Sequence, residues 1–147
     1  MEVVGGLEPV NPFLVEAMRR VTIKDSVRTR KTFYGEVLRS TFLVPLSEEA
    51  EIPADGRMGR GQVPLVMGKD EQGYLHMLAF TDVKTFGAWS SEQHHAAVMP
   101  AQTLLTAAVA NGIETLTINY KHPQGVTLTR DQIEALALGQ IPSKEKT

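Results

Sequence analysis

The chain has 147 residues, 42% of them hydrophobic and 22% charged, with a formal net charge of −2 and no cysteine. Length predicts one domain, able to bury about 70% of its unfolded surface without a metal or disulfide staple. The composition excludes a collagen, a low-complexity tract, a disulfide scaffold and thiol chemistry, and the charge is too mild to demand a nucleic-acid or membrane partner for the whole domain.

Residues 1–6 carry neither a basic region nor a long apolar stretch, so no secretory signal is expected. Asn11-Pro12 reads as a helix cap followed by proline at the first helical position. Phe13, Leu14, Ala17, Met18 and Val21 follow at helical spacing. Asp25 or Ser26 caps a second helix with apolar positions Val27, Phe33, Tyr34, Val37 and Leu38. Residues 41–46 read as a strand that Pro45 places at an edge or at its end. Residues 47–61, rich in glycine and charge, read as a mobile loop or a lid.

Val63–Met67 and Tyr74–Phe80 are strand candidates joined by a hairpin loop at 69–73. Thr81 or Asp82 caps a short helix holding Val83, Phe86 and Trp89, and 90–99 reads as a loop. Pro100 opens a helix with Leu104, Leu105, Ala108 and Val109 on one stripe, closed by Asn111-Gly112. Thr115–Asn119 and Val126–Leu128 are strands around a turn at 122–125. Thr129 and Gln132 match a capping box for a last helix with Ile133, Leu136 and Ala137, which Gly139 ends. The expected architecture is α/β (or α+β), one mixed sheet of about five strands packed by helices, in the order α-α-β-β-β-α-α-β-β-α. It is expected as a single domain over 1–147, with its core at about 11–139 and a charged tail at 143–147. No apolar run approaches the ~18 residues of a membrane span.

Charge is uneven. Residues 19–39 hold seven basic and two acidic side chains, so this segment is +5 and the remainder −7. Such a dipolar chain can steer an acidic partner or associate with itself, although charge runs also serve simply to keep helices solvated. Arg28, Arg30 and Lys31 beside Phe33 and Tyr34 raise a nucleic-acid reading, but helical periodicity turns the aromatics inward, away from the charges a single-strand platform needs. Trp89, the one tryptophan, reads as core cover or as a partner anchor.

The chemical motifs are few. The glycines of 56–61 lack the dinucleotide order and precede an expected strand, so no helix terminus stands behind them to bind phosphate. His76, His94, His95 and His122 show no metal-binding spacing, and His76 reads as a hydrogen-bonded histidine of a core or rim. There is no nucleophile elbow, and the carboxylates Glu48, Glu49 and Glu51 fall in the expected loop. These readings imply no cofactor and no metal.

Taken in order, several segments resemble a known family. They are Asn11-Pro12-Phe13-Leu14-Val15-Glu16-Ala17; Phe33-Tyr34 with Leu38, Ser40 and Phe42–Pro45; Gly73–Asp82 with Phe86 and Trp89; and Ile118-Asn119 with the Gly125 turn. Across about 11–139 this pattern resembles the amino-terminal domain of the SseB (enhanced serine sensitivity) family. That family often has Asn-Pro where this chain has Asn119-Tyr120. The resemblance implies a bacterial, cytoplasmic α/β domain of unresolved molecular role, and carries over no catalytic residue.

With a core signature and no catalytic constellation, the residues point to a non-catalytic protein-interaction or regulatory module, with a protein partner or a second copy, rather than an enzyme. Arg28, Arg30, Lys31 and Trp89 are the candidate partner contacts. The first alternative is a small-metabolite binder or small enzyme, using a crevice at the strand ends bordered by Thr81, Asp82 and Asn119. The second is nucleic-acid binding through 19–39.

Overall fold

The computed structural model describes residues 2–4, 10–46, 67–89 and 95–142. Its elements run β1 (Glu2–Val4), α1 (Pro12–Ile23), α2 (Val27–Arg39), β2 (Thr41–Pro45), β3 (Met67–Lys69), β4 (Leu75–Ala79), α3 (Val83–Trp89), β5 (His95–Pro100), α4 (Ala101–Ala110), β6 (Ile113–Ile118), β7 (Val126–Thr129) and α5 (Arg130–Ala137). The expected loop at 47–61, strand residues 63–66 and tail at 143–147 lie outside the described residues.

The mixed α/β class is as expected, but the strands divide into two ladders. One has the order β1-β5-β2, the other β3-β4-β6-β7. They join just past the end of β4, where Leu43 and Phe80 exchange two backbone hydrogen bonds of 2.9 and 2.8 Å. β4 and β6 run parallel, as do β1 and β5; the remaining pairs are antiparallel.

Two strands were not expected. β1 is only three residues long. β5 occupies part of the expected loop at 90–99 and reads His-Ala-Ala-Val-Met-Pro, poor in the β-branched and aromatic residues that mark strands. Its alanines are nonetheless buried at the centre of the first ladder. Ala97 and Met99 face the main core, and Ala96 and Val98 face a second cluster. A strand covered on both faces needs no polar alternation, and small side chains let its neighbours approach.

The main core lies between the sheet and four helices. α1, α2, α4 and α5 bring Leu14, Phe33, Leu104 and Leu136 against Phe42, Met77, Leu116 and Leu128. On the opposite face α3 closes a smaller cluster of Leu43, Phe80, Phe86 and Ala96, flanked by Trp89. Its aromatic rings meet edge-on or tilted, with centroids 5.4 to 6.0 Å apart, a favourable quadrupole arrangement.

Local signals position the helices. Ser26 caps α2 in a reciprocal box with Thr29, and the Thr129 backbone N–H donates to Gln132 Oε1 at 2.9 Å at the start of α5. Three expected apolar positions face water instead. Phe13 is 77% and Val27 71% exposed, since each lies in the first turn of its helix, and Val109 is 43% exposed near the end of α4.

Candidate functional site

The residues expected at the strand ends do converge. Asn119 follows β6 in the left-handed conformation (φ 61°), which asparagine tolerates better than most residues. Its backbone N–H donates to Ala79 O at 2.9 Å. Its side chain then spans to the end of β4: Oδ1 accepts from the Thr81 N–H, and Nδ2 donates to Thr81 Oγ1, both at 3.0 Å. Thr81 Oγ1 in turn donates to Asp82 Oδ2 at 2.8 Å, while Asp82 Oδ1 accepts from the Thr85 N–H at 2.8 Å. Asp82 is therefore the residue that caps α3. Thr81 and Asn119 are both buried, so these hydrogen bonds replace water that the groups have lost.

A fourth member is Asn11. It stands where a cap for α1 was expected, but at φ 47° its side chain does not bond the first turn. Instead Nδ2 donates to Thr41 O at 2.6 Å and to Thr81 O at 2.8 Å, tying the start of α1 to β2 and β4. Sequence reasoning missed this role because the partners lie 30 and 70 residues away.

The turn behind Asn119 is close-packed. A Cβ at Gly125 would stand 2.5 Å from Asn119 O and 3.2 Å from Ile118 O and His122 O, so only glycine fits without moving backbone.

The basic residues divide into two kinds. Arg30 is withdrawn into the fold: its guanidinium grips both carboxylate oxygens of Asp25 at 2.7 and 2.8 Å and reaches Tyr34 Oη at 3.4 Å. The hydrogen bond from Arg30 holds Asp25 below the usual carboxylate range, and the same bond raises Arg30. Glu16 binds Arg19 and Arg20 through hydrogen bonds that lower it to about 2, and Glu36 binds Arg39. By contrast Lys24, Arg28 and Lys31 make no ion pair among the described residues. Arg28 borders a groove of about 90 Å³ between α1 and α2, lined by Ala17, Arg20, Arg28, Thr29 and Thr32. Phe33 and Tyr34 are fully buried on the other side of α2. Trp89 lies apart from this surface, half-buried against Phe80 and Phe86.

Among the described residues no group of three or more histidines and carboxylates is placed to hold a metal, and no helix is long and apolar enough to cross a membrane. No curated protein and no solved structure matches the chain. A family model described as the SseB protein N-terminal domain matches residues 14–135, which takes in both the strand-end hydrogen bonds from Thr81 to Asn119 and the α1–α2 groove. The chain belongs to the SseB family, as a form of its N-terminal domain.

Proposed function

We propose that this SseB domain is a non-catalytic protein-interaction or regulatory module that receives an acidic segment of a partner protein on the outer face of α1 and α2. The carrying observation is the groove beside Arg28. It is lined by Ala17, Arg20, Arg28, Thr29 and Thr32, and Arg28 in its wall, like Lys31 farther along the same helix, has no carboxylate partner among the described residues, whereas Arg20 is held by Glu16. An unneutralised cation beside a recess is free to pair with an incoming carboxylate, and its field speeds the encounter. The setting is the bacterial cytoplasm, as the family resemblance implies, and a second copy of the chain is the alternative occupant.

The metabolite reading has less support. Both oxygens of Asp82 and both polar atoms of the Asn119 side chain are already engaged within the fold. The nucleic-acid reading rests on phosphate contacts alone, since Phe33 and Tyr34 are buried as their spacing predicts and offer no stacking platform.

The test is fluorescence anisotropy with a labelled oligoglutamate peptide at low salt. Saturable binding that weakens about tenfold or more in the R28E/K31E variant supports the reading. Absence of binding, or binding indifferent to those reversals, overturns it. Preference for a DNA duplex over the peptide moves the assignment to phosphate contacts. A solution mass of twice the monomer, lost in the same variant, assigns the face to a second copy.

A further inference from the structure

The sheet face that α3 partly covers continues, only partly exposed, past Leu78 to His76. There a carboxylate, an imidazole and a hydroxyl stand in line. Asp70, in the turn between β3 and β4, is held rigidly: its Oδ1 accepts from the backbone N–H of Gln72 at 2.9 Å and of Tyr74 at 3.0 Å. Its Oδ2 lies 2.8 Å from His76 Nε2. The other ring nitrogen, Nδ1, lies 2.6 Å from Thr115 Oγ1 on the neighbouring parallel strand β6. The His76 and Asp70 side chains are each about a third exposed, at 33% and 34%.

The geometry settles the tautomer of the neutral ring. The hydrogen bond from His76 holds Asp70 below the usual carboxylate range, so the carboxylate is ionised and only accepts. The ring proton then resides on Nε2, which leaves Nδ1 as an acceptor aimed at the Thr115 hydroxyl. Orienting carboxylate, base and hydroxyl in hydrogen-bond sequence is the arrangement that activates an oxygen nucleophile.

We propose that Thr115 is an acyl-acceptor site: its hydroxyl takes an acyl group from an activated ester or thioester. Thr115 Oγ attacks the acyl carbonyl while its proton passes to His76 Nδ1. The donor's C–O or C–S bond breaks, and the leaving oxygen or sulfur takes the proton back from the imidazolium. The products are an ester on Thr115 and a free alcohol or thiol, with His76 again neutral. Asp70 is a positioning residue, which keeps the ring in the accepting tautomer. Asp70 and Glu71 in the turn, against one lysine at 69, favour a donor whose transferred group is uncharged over a phosphoryl donor. The proposal concerns a different face from the α1–α2 groove and stands or falls separately from the acidic-partner reading.

The experiment exposes the full chain to p-nitrophenyl acetate and follows nitrophenolate release, intact mass and peptide mapping. One acetyl group per chain, mapped to Thr115, is expected. Labelling there should slow roughly a hundredfold in His76→Gln. In Asp70→Asn it should also slow, because the introduced amide can donate to Nε2 and drive the ring proton to Nδ1. Ring ¹⁵N shifts read that exchange of tautomer directly, which a merely structural role for Asp70 would not produce. Thr115→Ser retains the hydroxyl and should retain labelling, whereas Thr115→Val should abolish it. Acetyl groups confined to lysines or the amino terminus, or Thr115 labelling that proceeds equally in His76→Gln, overturn the proposal. So does the absence of labelling in a chain whose Trp89 fluorescence reports a native core.

Discussion

Replacing Asn119 by alanine tests whether the strand-end hydrogen bonds hold the fold. The substitution removes both bonds to Thr81. Thr81 is fully buried, so its N–H is left without a partner or water, which costs about 1–3 kcal/mol. Thr81 Oγ1 still donates to Asp82, so the hydroxyl adds little. Alanine at φ 61° adds about 1 kcal/mol of backbone strain. The expected loss is about 3 kcal/mol, read in urea as a lower midpoint with unchanged slope, and on heating as a fall of roughly 6–12 °C. Asn119→Gly separates the contributions, since glycine relieves the strain but restores neither bond. Thr81→Val removes the hydroxyl and leaves the backbone N–H bonded to Asn119, so a double-mutant cycle between Thr81→Val and Asn119→Ala isolates the side-chain pair. If Asn119→Ala and Asn119→Gly both stay within about 0.5 kcal/mol of the parent, the reasoning is wrong. The strand-end polar residues would then be free for a ligand, and the metabolite reading would regain its place.

Four further outcomes are expected. Gly125→Ala should destabilise by about 3 kcal/mol or more by chemical denaturation, because its Cβ would meet the Asn119 carbonyl at 2.5 Å and no flexible side chain is there to yield. Asn11→Asp should cost more than Asn11→Ala, since a carboxylate would face the carbonyls of Thr41 and Thr81; part of the excess should return in acid, where the protonated group can donate again. Phe86→Ala should cost about 3–5 kcal/mol and shift Trp89 emission, because it empties the centre of the smaller core. For Glu16, held at about 2 by Arg19 and Arg20, the folded value lies below the ordinary 4.5. Its contribution to stability is therefore complete above 4.5 and lost as pH falls through about 2. Carboxyl-carbon NMR should show that midpoint, and Glu16→Gln should abolish this part of the acid dependence.

Legibility followed range. The Ser26 and Thr129 caps, a hairpin turn within the expected loop at 69–73 and, apart from Phe13 and Val27, the inward stripes of α1 and α2 were readable, because each rests on groups within about one turn of chain. β5 was not, since its strand character comes from neighbours on both edges and cover on both faces rather than from its alanines. Thr81, Asp82 and Asn119 were expected together at the strand ends, and they do lie together there. Their engagement with one another was invisible, and so was the arrival of Asn11 among them.

The order of side chains alone determined the helices, the caps of α2 and α5 and the mixed α/β class, because hydrogen bonds and apolar periodicity over a few residues carry that information. Only tertiary structure decided that two ladders meet through Leu43 and Phe80, and that Asn119 reaches Thr81 across 38 residues and His76 reaches Thr115 across 39. The physical reason is that such partners are chosen by strand register. A shift of one residue would turn His76 and Thr115 to opposite faces, and no local pattern in either segment records the other.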